Sequence, residues 1–193
     1  LTHLFWENHC RAYLNFIEFI ESIDKTSYLE IGPGHGLYLS NVLKYKNFKN
    51  IEAWDISNES LNLTKKVLEK QDSGKNFKLV KRNIGEELNF KLTHQFDVIV
   101  MVETLECMEN PQKALQNIYK LLSPNGIFYL NFPINAPAPD NLYLLNSLEE
   151  VKKLLISHGF KVDNSIELPS SGYTIKDAYR LGVTISCLLR ASK

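Results

Sequence analysis

From residue 28 to residue 132 the chain alternates short apolar runs with longer stretches of helical periodicity, and this alternation limits its fold more than any other feature. Tyr28 to Ile31, Asn50 to Ile56, Phe77 to Lys81, Phe96 to Val102 and Gly126 to Phe132 read as strands. Between them, Leu37 to Tyr45, a segment from Ser57 or Asn58 toward Gln71, and Pro111 to Leu122 read as helices, the last with proline in its first turn. A strand that returns to its sheet through a helix joins it in parallel, and the helices then cover both faces. Leu4 to Ile23 adds an N-terminal helix, Ser147 to Ser157 a helix stopped near Gly159, and Phe160 to Glu167 and Val183 to Arg190 two last strands. The reading is one α/β domain over residues 1–193, with residues 1–26 as a helical cap.

In such a sheet, ligands bind beyond the carboxyl ends of the strands, where strand order reverses. Glu30 and the glycines Gly32, Gly34 and Gly36 follow the first strand, Asp55 the second, Asn83 the third, Glu103 to Cys107 the fourth and Pro133 to Asn141 the fifth. The glycines let a ligand lie against bare backbone and supply positive φ. A dinucleotide fingerprint sets its third glycine three residues beyond the second and aims a helix N-terminus at a pyrophosphate. Here Gly34 and Gly36 are two apart, and the Glu30 carboxylate would repel a phosphate. A cationic, phosphate-free ligand such as S-adenosylmethionine suits it better. Asp55, 25 residues beyond Glu30, is placed to accept both ribose hydroxyls. That role is shared with NAD enzymes, and a plain turn aspartate is the bland alternative.

Charge and cysteines narrow the partners. The 22 basic and 22 acidic residues cancel, so nucleic acid has no whole-molecule attraction to exploit. Cys10, Cys107 and Cys187 lack the spacing of a disulfide framework or metal site, which fits a reducing cytoplasm. No apolar run approaches the roughly 18 residues of a membrane span, and His3, Glu7, Asn8 and His9 break up any signal peptide. The first residue is Leu1 rather than methionine, which leaves room for residues upstream.

Four segments, in this order, make the chain resemble the class I S-adenosylmethionine-dependent methyltransferases over nearly its whole length. They are Leu29 to Gly36 (LEIGPGHG), Ala53 to Ser57 (AWDIS), Phe96 to Val100 (FDVIV) and Leu121 to Gly126 (LLSPNG). The resemblance implies a Rossmann-like, doubly wound sheet of seven strands, mostly parallel with the last antiparallel. It also implies S-adenosyl-L-methionine as cofactor, with Gly32, Gly34 and Gly36 at its methionine end, Glu30 and Glu103 nearby, Asp55 on the ribose and Ile56 on the adenine. At the adenine amino group the family commonly has an aspartate; Asn83, followed by Ile84, stands there, and its amide oxygen can accept the same bond. Glu103-Thr104-Leu105-Glu106-Cys107 is similar to the Glu-x-Leu-Glu-His segment of quinone-type O-methyltransferases, with cysteine in place of histidine. Two hard carboxylates and a soft thiol make a poor magnesium set, so no metal is expected.

Methyl transfer from a sulfonium requires the acceptor to be held in line and, for a neutral hydroxyl, a base. His9 is the first candidate, on a helix with Phe5, Trp6 and Tyr13; the alternative is an amphipathic helix with His9 at its edge. Glu106 is the second, the alternative being a solvated carboxylate offsetting a helix dipole. The loops 133–146, stiffened by proline, and 168–182 are candidate acceptor-site walls or plain connections. The expected activity is methylation of a small molecule, most simply O-methylation of a metabolite or cell-surface saccharide precursor. An NAD-dependent oxidoreductase and a non-catalytic S-adenosylmethionine-binding subunit are the alternatives.

Overall fold

The computed structural model describes residues 2–70, 76–89 and 94–193. In chain order the elements are α1 (Thr2–Ser22), β1 (Ser27–Ile31), α2 (Leu37–Tyr45), β2 (Asn50–Asp55), α3 (Asn58–Lys70), β3 (Lys78–Lys81), β4 (Phe96–Val102), α4 (Pro111–Leu121), β5 (Leu122–Ile134), α5 (Leu148–Ser157), β6 (Lys161–Pro169), α6 (Ile175–Leu181) and β7 (Ile185–Ser192). A single 3-10 turn, Leu105–Cys107, follows β4.

The strands form one seven-stranded sheet in the order β3-β2-β1-β4-β5-β7-β6. All pairs from β3 to β5 are parallel, and β7 runs antiparallel to both neighbours, as expected of the last strand. The order reverses between β1 and β4, so the loops after these two strands diverge and open a crevice. Because successive side chains alternate between faces, each central strand feeds two cores. Leu29, Ile99, Met101, Phe128 and Leu130 pack with Leu115 and Ile118 of α4 and Val151 and Leu155 of α5. Tyr28, Val98, Val100 and Tyr129 pack with Phe16, Phe19 and Ile20 of α1 and Leu39 and Val42 of α2.

Local chemistry sets the element ends. Asn110 caps α4, its Oδ1 accepting from Lys113 N at 3.1 Å just before Pro111. Ser57 rather than Asn58 caps α3, its Oγ accepting from Ser60 N at 3.2 Å. The expected end of that helix at Gln71 lies outside the described residues, as do the side chains of Phe5 and Trp6.

Three expectations are corrected. β5 begins at Leu122, which pairs with Phe96; the Ser123 to Gly126 stretch bulges before pairing resumes at Val98 and Ile127, so its turn-like residues hide a strand start. β6 continues through Pro169, tolerated because β6 is an edge strand and the proline ends it. Between β6 and β7, Thr174 caps the short helix α6 by accepting from Asp177 N at 3.1 Å, and Gly182 ends it at φ 64°.

Candidate active site

Glu30 is the last-but-one residue of β1 and is 3% exposed. The Tyr28 hydroxyl donates to its Oε2 at 2.8 Å. Burial raises its pKa to about 7, although the tyrosine bond works in the opposite direction. The chain then turns tightly, with Gly36 N donating to Pro33 O at 2.7 Å and Gly32, Gly34 and Gly36 at φ 70°, 53° and 76°. At Gly32 an added Cβ would lie 2.5 Å from Thr104 Cγ2, whereas at Gly34 it would meet nothing within 4 Å. One glycine is therefore required by close packing, while the other leaves open space above the backbone.

Beyond β2, Asp55 Oδ1 accepts from Ser57 N at 2.8 Å, and Oδ2 has no protein partner among the described residues. Ile56, next along, is 64% exposed, an apolar side chain with one side open to a flat partner. Asn83 is held in its own turn: Oδ1 accepts from Gly85 N at 2.9 Å and Nδ2 donates to Glu86 Oε1 at 2.9 Å. Its oxygen keeps one further lone pair. Ile84, 2% exposed, anchors that loop in the core.

These strand ends surround a cleft of about 500 Å³, within the range of small-molecule sites. Gly32, Asp55, Ile56, Asn83 and Ile84 line it, together with Arg82, Thr104, Cys107, Met108 and Leu142. Arg82 stacks its guanidinium 4.3 Å from the centre of the Trp54 ring, fixing one wall. The open backbone at Gly34, the exposed Ile56 and the Asp55 oxygen without a partner among the described residues match a nucleoside with a cationic tail. These residues therefore fit S-adenosylmethionine.

The second group of candidates converges beside this cleft. Glu103 sits at φ 46°, an uncommon conformation for a residue with a Cβ, and its N–H donates to Asn131 O at 3.0 Å. Its Oε2 is 3.0 Å from His9 Nε2, so α1 reaches across the end of the sheet to the turn after β4. The contact brings two of the candidates, Glu103 and His9, together at the edge of α1. Glu106 is 2% exposed, its Oε2 has no partner among the described residues, and burial raises its pKa to about 8, with Glu103 and Asp140 adding to the effect. It is a buried acid that keeps its proton at neutral pH, and the solvated-carboxylate alternative is excluded. The Cys107 thiol donates to Asn141 Oδ1 at 3.6 Å, and burial raises its pKa to about 11. Among the described residues no three His, Cys, Asp or Glu side chains are grouped to hold a metal ion.

The loop after β5 is tied to this site, since Leu142 N and Tyr143 N both donate to Glu106 O at 2.8 Å. Sequence reasoning missed Arg82, Met108 and Leu142 as cleft residues. Position after strands β3 and β4 was a usable signal for the first two, while Leu142 arrives through a loop that carries no local signature. It also missed Asn131, 1% exposed, whose amide nitrogen and oxygen both lack a partner among the described residues. Its place inside an apolar strand was the only hint.

Comparison with known proteins agrees with this fold. The family model described as "Methyltransferase domain" matches residues 29–128. A malonyl-[acyl-carrier protein] O-methyltransferase of Ilyobacter polytropus is 26% identical over 151 residues, covering 71% of this chain and 56% of that protein. Other curated relatives are spanned to 33% or 4% of their length. The N-methyltransferase NodS from Bradyrhizobium japonicum, solved in complex with S-adenosyl-L-homocysteine, superimposes with a TM-score of 0.74 at 16% identity, over 96% of this chain and 87% of NodS. The [4+2]-cyclase SpnF also gives 0.74 at 16% identity, over 93% and 80%. No helix among the described residues is long and apolar enough to cross a membrane. Family match and strand order converge, and the chain belongs to the methyltransferase domain family, with the seven-stranded fold of the class I methyltransferases.

Proposed function

We propose that this chain transfers the methyl group of S-adenosylmethionine to an oxygen of a small-molecule acceptor, a metabolite or saccharide precursor, in a reducing compartment such as the cytoplasm. The observation that carries the reading is the pairing of a buried carboxyl at Glu30 with the open oxygen of Asp55 at adjacent strand ends. When bound, the cofactor supplies an activated methyl carbon on a cationic sulfur. Gly32, Gly34 and Gly36 give its amino-acid end bare backbone, and Glu30 counters its positive charge. Asp55 accepts the ribose hydroxyls, Ile56 and Ile84 bound the adenine, and Asn83 offers its remaining lone pair to the adenine amino group.

On the acceptor side, His9 takes the hydroxyl proton and the Glu103 carboxylate, 3.0 Å away, stabilises the imidazolium. In that arrangement Glu103 serves the cofactor edge and the base together. Glu106, protonated at neutral pH, donates a hydrogen bond rather than accepting a proton. The loop carrying Leu142 and the fold-back of α1 keep water from the methyl group. Oxygen as the acceptor atom is supported by the relative named as an O-methyltransferase; NodS, named as an N-methyltransferase, is alike in fold alone.

Calorimetry with S-adenosylhomocysteine and NAD, followed by a methylation screen over sugars, nucleotide sugars, phosphorylated metabolites and quinone-like phenols, tests the reading. Homocysteine-adduct binding without NAD binding, and an oxygen-methylated product, are the expected results. NAD binding alone would overturn it. One second reading is a domain that binds the cofactor without transferring its methyl group; the shared fold of SpnF, named as a cyclase and not as a methyltransferase, favours keeping it. Binding with no product from any acceptor would select that reading.

A further inference from the structure

Asn131 is buried in the strand beside the proposed base, and its side-chain amide has no partner among the described residues. In β5 it registers with Val102 of β4 on one side and Leu188 of β7 on the other. Alternation puts it on the same face as Tyr129, the face that α1 covers. Under α1 the levels can be followed upward. Tyr129 stacks on Phe19 with ring centres 4.9 Å apart and meets Phe16 edge-on at 5.5 Å. Two residues on comes Asn131, and its backbone oxygen holds the N–H of Glu103, which pairs with His9. On α1 the residues His9, Ala12, Phe16 and Phe19 share one face at spacings of three and four. Ala12, 2% exposed, stands between the phenylalanines and His9 and brings no polar atom to the amide.

A buried amide whose donor and acceptor both lack a partner among the described residues is costly, and a bound molecule can supply the missing partners. We propose that Asn131 holds the methyl acceptor beneath α1: its Oδ1 accepts a hydroxyl proton and its Nδ2 donates to an oxygen on the neighbouring carbon. The acceptor class is thus neutral molecules that carry a hydroxyl beside a second oxygen, either a vicinal diol or a hydroxyketone. Asn131 is a recognition residue here and takes no part in the transfer. An ammonium donates only and leaves Nδ2 unpaired, while a phosphate or free carboxylate accepts only and leaves Oδ1 unpaired. The setting also opposes anions, since the Glu103 carboxylate is carried next to Asn131 by its own N–H bond to the Asn131 oxygen. The inference rests on the methyltransferase reading.

The test uses the full chain saturated with S-adenosylhomocysteine and labelled with nitrogen-15, the Asn131 side-chain amide signal being assigned by its loss in Asn131→Leu. Catechol, hydroxyacetophenone, phenylethylamine and phenyl phosphate are titrated in turn. Catechol or hydroxyacetophenone is expected to move that signal and to bind about tenfold or more weakly to Asn131→Leu. S-adenosylhomocysteine affinity should stay within about twofold, and the melting temperature should not fall, because the leucine removes a buried polar group. If Asn131→Leu does not fold, Asn131→Ala serves with the same expected loss. Equal binding to wild type and variant would overturn the proposal, as would a signal that neither neutral probe moves. Failure of S-adenosylhomocysteine to bind at all would instead strike the underlying methyltransferase reading.

Discussion

Replacing Glu106 by glutamine should remove most of the loss of stability that the wild-type protein suffers on going from acid to alkaline pH. The side chain is 2% exposed, and burial lifts its pKa from an ordinary 4.5 to about 8. Over that interval the folded protein holds a proton that the unfolded chain has released. Stability from this group is therefore complete below about pH 4.5 and is lost as pH rises to about 8. The slope is about 1.4 kcal/mol per pH unit, so the whole interval is worth about 5 kcal/mol as an upper bound. Glu30, lifted from 4.5 to about 7, has the same sign and ends its contribution one pH unit earlier. Its interval is worth about 3 kcal/mol. Against a total of roughly 5 to 15 kcal/mol for a domain, these are large effects. Urea unfolding of wild type and Glu106→Gln, followed by circular dichroism at several pH values from about 5 to about 9, measures them. Glutamine leaves a buried amide imperfectly paired and shifts its whole curve by a constant of about 1 to 3 kcal/mol. The change with pH is therefore the quantity to compare. Two curves that run parallel across the range would refute the reasoning, because they would mean that Glu106 ionises without penalty and is not sealed from water.

Three further outcomes are expected. Asp55→Ala should weaken S-adenosylhomocysteine binding by about 1.5 to 3 kcal/mol in calorimetry, since ribose hydroxyls bonded to a charged carboxylate lose their partner; unchanged affinity would remove Asp55 from the site. Gly32→Ala should destabilise the fold by at least about 1 to 2 kcal/mol in the same urea assay, because its φ of 70° strains an L-residue and its Cβ would sit 2.5 Å from Thr104 Cγ2. His9→Ala should leave cofactor affinity nearly intact and lower turnover by about 100-fold or more in a methylation assay, the range for a lost general base; equal turnover would leave α1 with a packing role alone.

Much of the fold was legible because the relevant signals are local. The apolar runs at Tyr28–Ile31 and Phe96–Val102 had no competing reading, and the proline at position 111 set a helix start within one turn. Local signals also misled in places. Ser123-Pro124-Asn125-Gly126 has the composition of a turn and is the bulged opening of β5, since pairing with β4 outweighs local preference. Helix α6 escaped notice because seven residues carry too little periodicity, and its Thr174 cap is recognisable only once Asp177 N is known to meet it.

The sequence by itself determined the parallel sheet, the strand-end positions of Glu30, Asp55 and Asn83, and the preference for a cationic, phosphate-free cofactor. All of these follow from periodicity and from charge next to glycine, which are properties of neighbouring residues. Only the tertiary structure decided that His9 meets Glu103 across 94 residues of chain, and that Glu106 is sealed and protonated. It alone decided that Asn131 lies buried with both amide atoms unpaired among the described residues. Burial and pairing depend on which distant segment covers a side chain. Here that is a helix from the start of the chain and a loop from its second half, and no pattern around residues 103, 106 or 131 encodes either.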